Sequence, residues 1–229
     1  MLKEECPMFR SIFAWCALAA AVVVSMAAPA SAQVLARLET SVTVFDEILA
    51  MKDNAIPEDL LRKAQCVAII PGLKKGAFVV GAKYGRGFVS CRRAGTWGPP
   101  AGIIVEGGSV GFQIGGSETD VLLAIMNKRG VDRLLSSKFT LGADASVAAG
   151  PLGRSATAQT DAMMTAEILS WSRSRGVFAG VALDGATLRG DTEANRDLYG
   201  RKITMREVLT GRENVPAAAQ PLIDRLARY

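Results

Sequence analysis

The sequence predicts an α+β fold: a curved, Gly-rich antiparallel β-sheet, partly closed as a barrel or arranged as a sandwich, with helices packed at both chain ends. Three observations predict it. Short apolar runs broken by glycine every few residues fill Cys66–Gly116, amphipathic three- and four-residue spacing precedes them, and helical composition returns from Asp191 onward. Glycine is costly inside a strand, so this density implies bulges, tight turns and close approach of backbone to another surface.

The first 32 of the 229 residues read as a signal peptide. Lys3 and Arg10 give a basic start, Ser11–Ala28 is almost wholly apolar, and Ala30-Ser31-Ala32 before Gln33 has the small-x-small pattern of a cleavage site. Cleavage is expected after Ala32, with export to the periplasm or envelope. The Pro29-Ala30-Ser31 end argues against a retained anchor, and Trp15 before Cys16 argues against a lipoprotein. Glu4 and Glu5 are unusual in a leader, which leaves Met8 as an alternative start to Met1. Residues 33–229 have the length of a single domain.

Val34–Met51 is read as an amphipathic helix, with Val34, Leu35, Leu38, Val42, Phe45, Ile48 and Leu49 on its apolar face. A second helix opens at Pro57, where proline suits the first turn, and runs to Ala64. Strands follow at Val67–Ile70, Ala77–Tyr84 and Gly87–Arg92, with Tyr84-Gly85-Arg86-Gly87 as a tight hairpin. Ile103–Glu106 and Ser109–Ile114 form a further pair or one long strand kinked at Gly107-Gly108, and Asp120–Met126 is another strand. After a helix at Lys128–Ser136, strand-like pieces return at Phe139–Ala149, Ala162–Arg173 and Val177–Leu183, with turns at Gly150–Gly153 and Ser174–Gly176. Helices are expected at Asp191–Tyr199, Met205–Thr210 and Ala217–Tyr229. The last contains Pro221 and has helical spacing at Leu222, Ile223 and Leu226, which argues against an outer-membrane barrel ending in a strand.

The chemistry available is limited. Without any histidine the commonest general base is missing, and so is every Ser-His or Cys-His nucleophile arrangement. Glu106, Glu118, Asp120, Asp144 and Asp184 could line a cleft, but no spacing fixes a pair, so no enzyme activity is expected. Gly72-Leu-Lys-Lys-Gly76 lacks the phosphate-loop spacing and Gly85-Arg-Gly87-Phe-Val-Ser90 fails the dinucleotide fingerprint, so both read as hairpin turns and no cofactor is expected. Past the leader only Cys66 and Cys91 remain, in neighbouring strands. They are either bridged or two buried thiols, and they cannot supply a zinc set. The net charge of +5 is too modest to indicate nucleic acid, and Tyr84, Phe88 and Trp97 sit among apolar strand residues. The suggestive bases are Lys74 and Lys75 in one turn, Lys83 and Arg86 flanking the hairpin, and Arg92 and Arg93 ending the next strand. Neighbouring strands could gather several of them into one patch, worth about 1 kcal/mol per charge near an anionic surface, or they could form a solvated rim.

Cys66-Val-Ala-Ile-Ile-Pro71, Gly81 to Gly87 around Tyr84, Cys91-Arg92, Trp97-Gly-Pro-Pro, Gly111-Phe-Gln-Ile-Gly115, Gly142 with Asp144, Gly150-Pro151 and Gly176-Val-Phe-Ala-Gly180 occur in that order. This set resembles the SYLF family, a lipid-binding domain of yeast and animal membrane-trafficking proteins and of many exported bacterial proteins, across nearly all of residues 33–229. The resemblance implies phospholipid binding, of phosphoinositides in eukaryotic members, and actin binding in yeast members. This sequence departs from those proteins in carrying a leader and in showing no SH3 module after the domain; Trp171-Ser172 stands where relatives often have tyrosine. The expected function is therefore a non-enzymatic phospholipid- or membrane-binding domain of the envelope. Its partner would be an anionic phospholipid or membrane surface, with actin not expected. The alternative is a periplasmic structural or protein-interaction module, docking through the first helix or an exposed strand edge.

Overall fold

The computed structural model describes residues 30–51, 56–77, 80–110, 115–150, 165–174, 177–178, 183 and 185–229. The expected leader before Ala30, Gly111–Ile114 of the glycine motif, the Gly150–Gly153 turn beyond Gly150, and Ala162–Met164 lie outside these residues. So do Arg175 and Gly176 of the next turn, most of Val177–Leu183, and Asp184.

The chain opens with α1 (Ala30–Leu49) and α2 (Glu58–Lys63). The strands β1 (Cys66–Ala77), β2 (Val80–Arg93), β3 (Thr96–Trp97), β4 (Ala101–Val110) and β5 (Gly115–Ile125) follow. After α3 (Lys128–Leu134) come β6 (Lys138–Thr140), β7 (Val147–Ala149), β8 (Ile168–Ser174), β9 (Val177–Phe178) and β10 (Thr187–Gly190). The chain ends with α4 (Thr192–Tyr199), α5 (Met205–Thr210), a 3₁₀ turn at Ala217–Ala219 and α6 (Gln220–Leu226).

The strands form one sheet in the order β6-β10-β4-β2-β1-β5-β8-β7, with β3 added to β2 and β9 to β8. It is antiparallel except where β7 meets β8, and it curls into a half-barrel with helices from both chain ends packed on it. Side chains alternate across the sheet, so each of its faces carries its own core. Cys66, Ala68 and Ile70 of β1 join Val121, Leu123, Phe139, Leu188 and α5's Val208 on one face. Val67 and Ile69 point the other way, under Val34, Leu38, Phe45 and Ile48 of α1 and Leu222 and Leu226 of α6. Cys66–Ile70 of β1 and Val121–Ile125 of β5 are thus buried on both sides, which explains their continuous apolar sequence.

Several expectations change or are resolved. The stripe on α1 that meets the sheet is Val34, Leu38, Ser41, Val44, Phe45 and Ile48. Leu35 is turned out to 43 % exposure, and Ser41 is admitted because its hydroxyl donates to the Arg37 carbonyl at 2.8 Å. Tyr84-Gly85-Arg86-Gly87 is not a hairpin: β2 runs straight through it. Its glycines serve proximity, since a Cβ on Gly85 would lie 2.7 Å from Leu73 Cδ1 and one on Gly87 would clash with the Ile69 carbonyl of β1. Gly72–Gly76 is not a hairpin turn either, but lies within β1. Of the two options around Gly107-Gly108, the chain adopts one uninterrupted strand, β4. The tight turn that sequence reading missed joins β2 to β3 through Ala94 and Gly95, both at positive φ.

Cys66 and Cys91 are directly opposite in the β1–β2 register and are bridged, with S–S 2.03 Å. Both are buried. Among the described residues, no helix is long and apolar enough to cross a membrane.

Candidate functional site

The site begins with a flaw in a ladder. Between Ile69 and Lys74, β1 holds one residue more than either neighbour, so its register shifts against both β2 and β5. The bulge is Pro71-Gly72, with Gly72 at φ 57°, a left-handed conformation that glycine adopts without strain. Its amide donates to Asp120 Oδ1 of β5 at 2.9 Å. Gly72 also leaves room for a side chain from the next strand. A Cβ there would stand 2.5 Å from Glu118 Oε1.

Above the bulge, α1 does not close onto the sheet, and an open groove of about 580 Å³ remains. Its charged lining is Arg37 from α1, Lys74 from β1, Arg86 from β2, Glu118 and Asp120 from β5, and Arg173 from β8. Tyr84, 47 % exposed, stands at its edge.

Two of the four cations are already held. Arg86 grips Asp191 with two hydrogen bonds, Nε to Oδ2 at 2.6 Å and Nη2 to Oδ1 at 2.7 Å. Asp191 is 2 % exposed and also caps α4 by accepting from the Ala194 amide. Burial pushes its carboxyl up, but the bonds from Arg86 and Ala194 outweigh that and hold it below the usual carboxylate value. Arg173 pairs with Asp120 at 2.7 Å and with Glu47 of α1. The chain Glu47–Arg173–Asp120–Gly72 therefore ties the helix to the bulge.

Arg37 is different. Its Nη1 is buried without a hydrogen-bond partner, and burial together with the nearby Arg86 charge lowers its pKa from the ordinary arginine value. Lys74 is exposed and Glu118 is exposed, and they are ladder partners. Among the described residues, neither forms an ion pair: the Glu118 carboxylate leans over Gly72.

The six bases singled out in the sequence separate into groups. Lys74, Lys75, Lys83 and Arg86 belong to the bulge end of β1 and β2, but the alternation sends Lys74 and Arg86 to the groove face and Lys75 and Lys83 to the opposite face, where they are cross-strand partners. Lys83 is only 8 % exposed. Arg92 and Arg93 lie roughly 30 Å from Lys83 along β2, and both serve packing. Arg92 donates to the Ala64 carbonyl at 3.0 Å and stacks over Trp97 with its guanidinium 4.3 Å from the ring centre. Arg93 caps α5 through the carbonyls of Val208 and Gly211. Of the six, Lys74 and Arg86 line the groove. Arg37 and Arg173 were missed by sequence reading. An arginine at the margin of the α1 apolar stripe, four residues before the buried Ser41, was the signal for the first.

The acids are dispersed too. Glu106 is paired with Arg189 at 2.8 Å, and Asp144 accepts from the Thr140 amide within its own turn. Among the described residues of that set, Glu118 and Asp120 share the groove.

The model of the Ysc84 family, described as Las17-binding protein actin regulator, matches residues 106–229. The chain is 39 % identical over 176 residues to Protein YSC84 of Saccharomyces cerevisiae, covering 75 % of this chain and 37 % of that protein. It is 35 % identical over 189 residues to the human SH3 domain-containing YSC84-like protein 1, covering 81 % of this chain and 55 % of the relative. The chain belongs to the Ysc84 (SYLF) family. It spans about two fifths to a little over half the length of these relatives. The Ysc84 model covers Glu118, Asp120 and Arg173 of the groove, whereas Arg37, Lys74 and Arg86 precede the matched residues.

Proposed function

We propose that this chain is a non-enzymatic phospholipid-binding domain of the cell envelope, exported by a leader cleaved after Ala32, that captures a lipid headgroup in the groove between α1 and the sheet. Arg37 is the observation that carries this reading. A half-buried guanidinium with one buried, unsatisfied nitrogen costs stability unless an acceptor arrives, and phosphate oxygens are strong acceptors for it. Lys74 stands in the same lining, and the half-exposed Tyr84 ring suits the boundary between headgroups and acyl chains. Catalysis has little to work with: Asp120 is held by Arg173 and the Gly72 amide, so among the described lining residues Glu118 has no second free carboxylate beside it. Lys75, Lys83, Arg92 and Arg93 fall outside this reading.

The description of the family favours a second reading, a protein-docking module, because it speaks of binding Las17 and of regulating actin. Export argues against actin as the partner here. The test is co-sedimentation of the protein, purified as its own cell processes it, with mixed phosphatidylethanolamine and phosphatidylglycerol vesicles. The expected result is pelleting that weakens as salt rises and falls about tenfold in Arg37→Gln, the scale of one charge-assisted hydrogen bond. A protein that stays in the supernatant, or that pellets with filamentous actin instead, overturns the proposal.

A further inference from the structure

Resting on that reading, we infer that the groove selects a zwitterionic headgroup, a phosphate with a primary ammonium such as phosphoethanolamine, over a purely anionic one. The argument is the sign of the charges left open. Arg86 and Arg173 are closed by Asp191, Asp120 and Glu47. What remains is two cations, Arg37 and Lys74, and one carboxylate, Glu118, all in one lining.

A purely anionic ligand would meet Arg37 and Lys74 but would bring its charge against Glu118. A simple amine would suit Glu118 and be repelled by the other two. A ligand carrying both signs meets all three. The spacing agrees, because Lys74 and Glu118 are ladder partners, and such partners have Cβ atoms about 5 Å apart. Lys74 does not neutralise Glu118, whose carboxylate is drawn over Gly72 instead, held open by the only residue type with no side chain to displace it. A primary ammonium can donate hydrogen bonds to that carboxylate, and a quaternary choline cannot. The groove is wide enough at about 580 Å³ for a headgroup, and Tyr84 marks the side on which acyl chains would leave.

The experiment compares phosphatidylcholine vesicles doped with equal amounts of phosphatidylethanolamine or phosphatidylglycerol. Wild-type protein should bind the ethanolamine vesicles about tenfold more tightly. Glu118→Gln, a change at an exposed position that leaves the fold intact by thermal melting, should abolish that preference while keeping glycerol-lipid binding. Lys74→Gln should weaken binding to both. Equal or tighter binding of phosphatidylglycerol by the wild type, or a preference that survives Glu118→Gln, overturns the zwitterion inference and leaves phospholipid binding standing. Failure to bind either vesicle overturns both.

Discussion

Asp191 joins a helix, a strand and a groove through one carboxylate. It caps α4, clamps Arg86 of β2, and offsets part of the Arg86 charge felt by Arg37. Because its folded pKa is depressed, its contribution to stability is present above the unfolded aspartate value near ~3.9 and is lost as pH falls through the folded value. Asp191→Asn should cost about 3 kcal/mol at pH 7, the scale of breaking one side of a buried pair. Urea unfolding should show a smaller loss for the variant at pH 3, below the unfolded aspartate value, where proton uptake by the unfolded chain has begun to erode the wild-type advantage. None of this was legible in the sequence, because 105 residues separate the partners. Gly85 and Gly87 show a different difficulty: glycine that permits a turn and glycine that permits close strand contact are written with the same letter. Arg37 reads as one more polar residue on α1 until β2 and β5 supply its surroundings.

At the scale of elements, α1 was readable and so was its role as a docked helix. Six residues at helical spacing bury a single stripe, and that periodicity survives without any knowledge of the partner surface. Its attachments are distributed: Phe45 meets Tyr229 edge-on with ring centres 6.1 Å apart, Asp46 pairs with Arg225 at 2.9 Å, and Glu47 pairs with Arg173. The half-exposed Asp46–Arg225 pair adds little, whereas Phe45 is 1 % exposed. Phe45→Ala should cost about 3 kcal/mol or more, measured by chemical denaturation. Because α1 is also the roof of the groove, vesicle binding should weaken in the same variant at temperatures where it remains folded. The expected strand positions held where an apolar run was continuous, as over Asp120–Ile125 of β5, which itself begins earlier, at Gly115. They slipped where glycine runs had to be divided, as at Tyr84–Gly87.

For the whole molecule, the fold class followed from the sequence because glycine-broken apolar runs flanked by helices leave few other arrangements. The strand order did not, since β10 inserts between β4 and β6 only through tertiary pairing. The Cys66–Cys91 bridge closes a 25-residue separation, and by loop entropy it should contribute about 3 kcal/mol. Reduction under denaturing conditions, or a double Cys→Ala variant, should lower the melting temperature by several degrees, and an unchanged melt would show that the sheet alone sets stability. The bulge at Pro71-Gly72 reaches further than its size suggests. It works as a reading frame for the sheet: every β1 residue beyond it is assigned to a face by one inserted amino acid. If β1 kept every residue but ran through Pro71-Gly72 without the bulge, strict alternation would turn Lys75 toward α1 and drive Lys74 to the opposite side, leaving composition and net charge untouched. What this protein can bind is therefore decided by parity along one strand as much as by which charged residues the chain contains.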